Sequence, residues 1–344
     1  MFDLLIRNIH LPFPDLPPYV KAYMQDNAVL PDWADQAKLA QASQLFLDMG
    51  LHFSMVLLYK SLPECYLIAS DVDVLYATGR LSGRKWPETY ARRVGETTQF
   101  VIDVMGANAL QPNGIGMETL LRVRLVHASI RHFLMALPDQ TQFGIAPPSL
   151  LPINQRALAY TLMTFGLTMP AGLQQMGIAL TQQQKEAFFH HWLVAGRIMG
   201  IELETLPKDI AEGKELMDRI SDRWGAESEG GRACTAALIT FLEDILRGEA
   251  LDKLPKGLVR HFNGDRVADL LGVERPSGCM AKLFPNVLLK MIGFPERIED
   301  KYPELAPFSN KVGAAVLRGM RKYFNSYKGH GLRVPPEMEN SWKI

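Results

Sequence analysis

The helix that the sequence spells between Met117 and Met135 sets the strongest limit on the fold. Leu120, Arg124, His127, Arg131 and Leu134 share one strip of it. Val123, Leu125, Val126, Ile130 and Phe133 make much of the remaining surface apolar. A helix that is apolar nearly all round belongs inside a protein. Two arginines and a histidine carried inward must then find partners, because an unpaired buried charge is expensive. Carboxylates of the chain would serve, and so would those of a bound ligand.

The stretch just before it supplies a facing helix. Pro112, Asn113, Gly114 and Gly116 spell a turn, and the pattern before them predicts a helix over about Trp86 to Met105. On that helix Arg93, Glu96, Thr97, Phe100 and Val104 step by three or four residues and fall on one face. The bland reading of the polar trio is an ion pair from Arg93 to Glu96, worth roughly 0.3 kcal/mol when exposed. The functional reading gives Arg93 a hydrogen-bonding role toward a ligand or oxyanion. Glu96 would then move a proton or hold Arg93. His127 with its flanking guanidinium groups suits a haem iron and its propionates. By spacing alone, a histidine satisfied within the core is the more common outcome. His132 lies five residues past His127 and points to another side, as a supporting or structural group.

The rest of the chain repeats the helical period and offers few segments with strand alternation, so the expected fold is all-α. Residues 1–31, rich in proline, are expected to be an extended arm on the body. A long helix follows from about Trp33 to Lys60 with a bend at Gly50, and another from Ser61 to Thr78. Ala157 to Leu180 carries no charge and is long enough to cross a bilayer, but Pro170, Ala171 and Gly172 interrupt it; a buried helix broken near Pro170 fits better. A helix through Gly200 carries His190 and His191, and His191 is the second candidate for an iron ligand. His52 reads as a satisfied core histidine. Further helices are expected at about Lys208–Trp224, Ala233–Arg247, Lys256–Leu271, Gly278–Met291 and Pro307–Tyr327, with Gly225 to Gly231 as a mobile surface connection. There is no dinucleotide fingerprint, phosphate loop, nucleophile elbow or HExxH pattern, which argues against nucleotide enzymes, the common hydrolases and zinc proteases.

Charge and cysteine usage narrow the function classes. Lys plus Arg number 37 and Asp plus Glu also 37, so no general electrostatic pull draws the chain to nucleic acid or acidic lipid. Cys65, Cys234 and Cys279 are few, odd in number and widely spaced, as in a reduced compartment. The N-terminus lacks the basic leader and sustained apolar run of a signal peptide. A cytoplasmic protein without membrane association is expected.

Several segments, in this order, resemble the bacterial and fungal family of MpaB-type oxygenases and latex-clearing rubber oxygenases. They are SLPECY (61–66), ATGRL (77–81), RRVGETTQFVIDVM (92–105), RVRLVHASIRH (122–132), PINQRALAYTLMTF (152–165), HWLVAGRIMGI (191–201) and GDRVADLLG (264–272). The resemblance implies a globin-like helical core around a haem b. It implies His127 as the proximal iron ligand, His132 in support, and Arg93 and Thr97 lining the opposite, distal side. Where this chain has Glu96, the rubber-cleaving members place a lysine that can occupy the distal iron position. That departure argues against rubber cleavage itself. Glu64, Asp71 and Asp73 lie in the region of the family's glutamate base, and ordinary surface roles are expected for each.

The expectation is one all-helical domain over residues 1–344, with a family-like core over 45–272 and C-terminal helices over 273–344. Its expected activity is a haem b-dependent oxygenase or peroxidase-like reaction on a hydrophobic small molecule, with dioxygen or peroxide as oxidant. Arg93, Glu96 and Thr97 would act in catalysis; His127, Arg124, Arg131 and His132 would hold the cofactor. Two other readings fit the same residues: a non-catalytic haem or apolar-ligand binder, and a haem-free helical scaffold.

Overall fold

A computed structural model describes residues 13–80, 86–136, 151–245 and 254–275. These residues are almost wholly helical, and among them the only extended pairing is an isolated bridge between Ile68 and Gly225. The all-α expectation holds. The helices expected at Gly278–Met291 and Pro307–Tyr327, and the end of Ala233–Arg247, lie outside the described residues.

The N-terminal arm is not extended where it is described. Pro18 opens a helix, α1 (Pro18–Asn27), because proline at the first position loses no hydrogen bond there. The next helix, α2 (Gln36–Val56), starts at Asp35, whose carboxylate accepts from the amides of Ala37 at 2.9 Å and Lys38 at 3.2 Å. It kinks at Met49, beside the glycine where a bend was expected. A π-helical turn, Leu57–Ser61, carries α2 into the short α3 (Leu62–Cys65). Gln36–Cys65 is therefore long and apolar enough to span a membrane by length and composition, yet most of its apolar window is buried in the protein.

After α4 (Ala69–Arg80) come the facing pair, α5 (Trp86–Met105) and α6 (Ile115–Met135). The uncharged stretch then divides into α7 (Gln155–Gly166) and α8 (Thr168–Gln175). The break falls at Leu167, three residues ahead of Pro170. Proline is tolerated in the first turn of α8, so the chain breaks before it, where Pro170 has no amide hydrogen to give. The chain continues with α9 (Gln182–Ile198), α10 (Ile210–Trp224), α11 (Glu229–Ile245) and α12 (Pro255–Leu270). Thr181 and Gln184 close a reciprocal capping box at the start of α9. The supposed mobile connection after Trp224 is partly structural: the Ala226 amide donates to Leu67 O at 3.1 Å, and Gly230 and Gly231 are buried in the first turn of α11.

The core is centred on α2 and α9, which pack along one another and against α7 and α8. Phe53 stacks on Phe188 with centroids 4.8 Å apart, and Trp192 stacks on Phe165 at 4.7 Å. Rings of this size contribute about 1.5–3 kcal/mol each on burial. This rigid aromatic layer reaches the α5/α6 pair through Phe100, whose ring is 6.2 Å from that of Trp192.

Candidate functional site

The site grows out of the α5/α6 hairpin. Asp103 near the end of α5 accepts from Gln99 Nε2 at 2.7 Å and from Thr119 Oγ1 of α6 at 2.9 Å, tying the two helices together. The turn between them is so tight that a Cβ on Gly114 would lie 2.2 Å from the carbonyl oxygen of Ala109. Only glycine fits there, which is why the turn signal in the sequence was accurate.

About three turns into α6 comes His127, on the side of the hairpin that the charge of Arg93 reaches. Its residue keeps some exposed surface, but its Nδ1 is enclosed and has no hydrogen-bond partner among the described residues. Burial lowers the pKa of the ring to about 4, and the charges of Arg131 and then Arg93 add to the effect. The ring is therefore neutral at pH 7. The structure thus joins Arg93 of α5 with His127 and Arg131 of α6 around one imidazole. Arg124 belongs to the same group, because its charge lowers the pKa of Arg131 after the larger effect of burial. It also opposes the burial that raises the pKa of Tyr23, which places that phenol of α1 at the edge of the cluster.

Two of the three arginines of α6, Arg124 and Arg131, are held by backbone. Arg124 Nη1 donates to the carbonyl of Ile198 at 3.3 Å, and Arg131 Nη1 donates to that of Ile153 at 2.9 Å. No ion pair among the described residues involves either of them. Unusual backbone lies beside the first anchor and at the second. Gly200, with φ of +93°, lies against Arg124, and a Cβ there would come 2.9 Å from its Nε. Ile153 has φ of +52°, a region that costs a β-branched residue about 1–2 kcal/mol. Carbonyl anchors fix a guanidinium without cancelling its charge.

On α5, Thr97 Oγ1 donates to Arg93 O at 2.9 Å, leaving its oxygen free to accept. Glu96 was expected to pair with Arg93. Its closer partner is Arg92, whose Nε donates to Oε1 at 2.8 Å, while Arg93 Nη1 stands 3.6 Å from Oε2. The i,i+4 geometry of Arg92 brings it over the carboxylate more directly than the i,i+3 geometry of Arg93. Arg93 is left with donors to spare.

His132 is exposed and stands apart from this group. His191, the second candidate ligand, is fully buried, and its Nε2 bonds the carbonyl of Val104 at 2.9 Å, linking α9 to α5. His190 accepts from the amide of Asp35 at 2.9 Å. The acidic residues near the N-terminal half are not ordinary surface groups. Glu64 lies 3.9 Å from Lys60 in a largely buried pair, and burial raises its pKa. Asp71 pairs with Arg156 at 2.5 Å, with burial raising its pKa against the pull of that arginine. Burial likewise raises the pKa of Asp73, against a hydrogen bond from the Gly230 amide. Sequence reasoning missed the carbonyl anchors and Tyr23. A proline at 152 signals a turn, but nothing in the sequence marks the next residue as the acceptor for Arg131.

The chain matches the family model described as ER-bound oxygenase mpaB/B'/Rubber oxygenase, catalytic domain, over residues 48–290. It is similar to the rubber oxygenase of Streptomyces sp. (strain K30), at 24% identity over 271 residues, which cover 76% of this chain and 62% of that relative. It therefore spans less than two thirds of the relative's length. The latex clearing protein LCP in its closed state has the same fold, with a TM-score of 0.73 and 20% identity, covering 89% of this chain and 80% of that one.

Proposed function

Since this chain belongs to the MpaB/rubber oxygenase catalytic-domain family, we propose that it is a haem b-dependent oxygenase of a hydrophobic small molecule, using dioxygen or peroxide, with His127 as the iron ligand. The observation that carries this reading is the enclosed imidazole of His127, neutral, with an unspent nitrogen, and ringed by guanidinium groups that the protein holds by carbonyls. The residues fit the group. A haem needs a neutral imidazole for its iron and cations for its two propionates, and Arg124 and Arg131 are cations without carboxylates. When bound, the haem would supply one-electron and oxygen chemistry that no side chain here can perform.

The chain's own residues have separate tasks. Burial keeps the His127 proton off at neutral pH, so the ring is ready to ligate without competing protonation. Arg124 and Arg131 would orient the cofactor's acidic edge. Arg93 offers donors that Glu96 does not fully occupy, and the Thr97 oxygen offers an acceptor, which suits holding a small polar group on the α5 side. Glu96 steadies Arg92 and Arg93 and can take or give a proton at its Oε2, the oxygen farther from its nearest partner. Phe100 continues the α5 face into the aromatic core through Phe165 and Trp192, an apolar surround that would suit a hydrocarbon substrate.

The first test is the visible spectrum of protein expressed with ample haem supply, before and after dithionite. A Soret band that shifts on reduction and vanishes in His127→Ala is the expected result. A colourless protein that also refuses added haem overturns the reading. Turnover with oxygen or peroxide and a reductant separates an enzyme from a simple haem carrier.

A further inference from the structure

We propose that Ile153 is the positioning residue for Arg131: its left-handed backbone turns its carbonyl onto the guanidinium and holds that cation, uncancelled, beside His127. The inference rests on the functional reading above for its consequence, but not for its geometry.

The segment Leu151–Pro152–Ile153–Asn154 forms a turn into α7. Proline sets the first central position, and the second adopts φ of +52°. Glycine or asparagine belongs at such a position; isoleucine, branched at Cβ, is among the worst choices. The neighbouring asparagine is already committed. Asn154 caps α7, its Oδ1 accepting from the Ala157 amide at 3.0 Å and its Nδ2 donating to Leu151 O at 2.9 Å. The strain therefore falls on Ile153.

Two contacts say what the strained residue does. Its side chain packs against the cluster of Val74, Ile130 and Leu134, two of which flank Arg131 on α6. Its carbonyl accepts from Arg131 Nη1 at 2.9 Å. Side chain and carbonyl thus grip the same turn of α6 from opposite ends of one residue. Glycine would hold the backbone but lose the side-chain grip. A carboxylate in place of the carbonyl would hold Arg131 equally well and neutralise it. An observed outlier of this kind, sitting on the cation of a candidate site, is the sort of strain that surrounding structure must maintain.

The test compares Ile153→Asn, Ile153→Ala and Ile153→Pro by two readouts. One is rotation of the Arg131 guanidinium, followed by nitrogen NMR in the haem-free protein. The other is the dissociation constant for added haemin. Asparagine accepts the left-handed conformation, so Arg131 should stay restrained and haemin affinity near that of the wild type, although the apolar packing is lost. Alanine resists that conformation and should loosen Arg131 partway. Proline forbids it, so rotation should become fast and haemin binding about tenfold weaker, the size of one charge-assisted contact. If Ile153→Pro does not fold, the order of asparagine above alanine still decides. Restraint that follows apolar packing rather than backbone preference, with alanine equal to or better than asparagine, overturns the proposal. So does a folded proline variant with unchanged Arg131 rotation. If the wild type itself refuses haemin, the haem reading fails, and the rotation data alone judge Ile153.

Discussion

His127 and His191 are both enclosed by the fold, and burial lowers both to about 4, yet their surroundings differ. The α9 histidine has its Nε2 matched to the Val104 carbonyl in the aromatic core, which joins two helices, while its Nδ1 too is buried without a hydrogen-bond partner among the described residues. The α6 histidine has an enclosed nitrogen with no partner among the described residues, and cations rather than carboxylates around it. A buried polar group that is satisfied stabilises; one left unsatisfied costs roughly 1–3 kcal/mol and calls for a reason. What distinguishes the two rings is what surrounds them: a cross-helix carbonyl in an aromatic core for His191, and the guanidinium charges of Arg131 and Arg93 for His127, the ring proposed above as the ligand.

Exchanging the losses at the two positions breaks the comparison most sharply. His127→Ala should abolish haem retention, read from the Soret band, while leaving the haem-free protein's urea midpoint nearly unchanged. His191→Ala should do the reverse. It should cost about 3 kcal/mol in urea unfolding through a cavity and an orphaned carbonyl, with haem still bound by the fraction that folds. Full haem in His127→Ala would end the distinction.

Acid should act on both buried rings, and His191 shows how. The unfolded chain takes up a proton near 6.5, whereas the buried His191 ring resists it until about 4. The unfolded state therefore binds more protons in that window. The stability that His191 contributes is complete above pH 6.5 and declines as the pH falls toward 4, by on the order of 3 kcal/mol. His191→Gln, which keeps a donor for Val104 and cannot titrate, should remove about half of the slope that the two buried histidines give the haem-free protein's stability profile, His127 supplying the rest. An unchanged slope would show that the ring is not held neutral.

Smaller effects sharpen the cationic side. Arg131→Ala or Arg124→Ala should each weaken haemin binding by about tenfold with little loss of fold, because neither closes an ion pair. At the bottom of the scale, Glu96→Gln should change thermal stability by less than about 0.5 kcal/mol, since its pairing with Arg92 is a half-buried i,i+4 contact still open to solvent. A change in turnover or its pH profile without such a change in stability would mark Glu96 as a participant in proton movement.

Much of the fold was legible because helical period is a local property. The α5 and α6 boundaries, the turn at Gly114 and the bend beside Gly50 follow from spacing and from glycine chemistry. The grouping of Arg93 with His127 and Arg131 followed too, since two facing helices place matched faces together. The break before Pro170 was read three residues late, because proline marks the first turn of the new helix as readily as the end of the old one. Glu64 and Asp71 were misread as surface groups, because their cationic partners, or the packing over them, come from elsewhere in the chain.

By itself, then, the sequence determined which residues share a face and that a polar group must be enclosed on α6. Only the tertiary structure decided what that group meets. Arg131 finds its acceptor 22 residues away and Arg124 finds one 74 residues away, both of them main-chain carbonyls. Every residue carries a carbonyl, so composition and periodicity cannot mark the one that will be used. Its choice depends on where the backbone is turned and on which segment packs within hydrogen-bond reach.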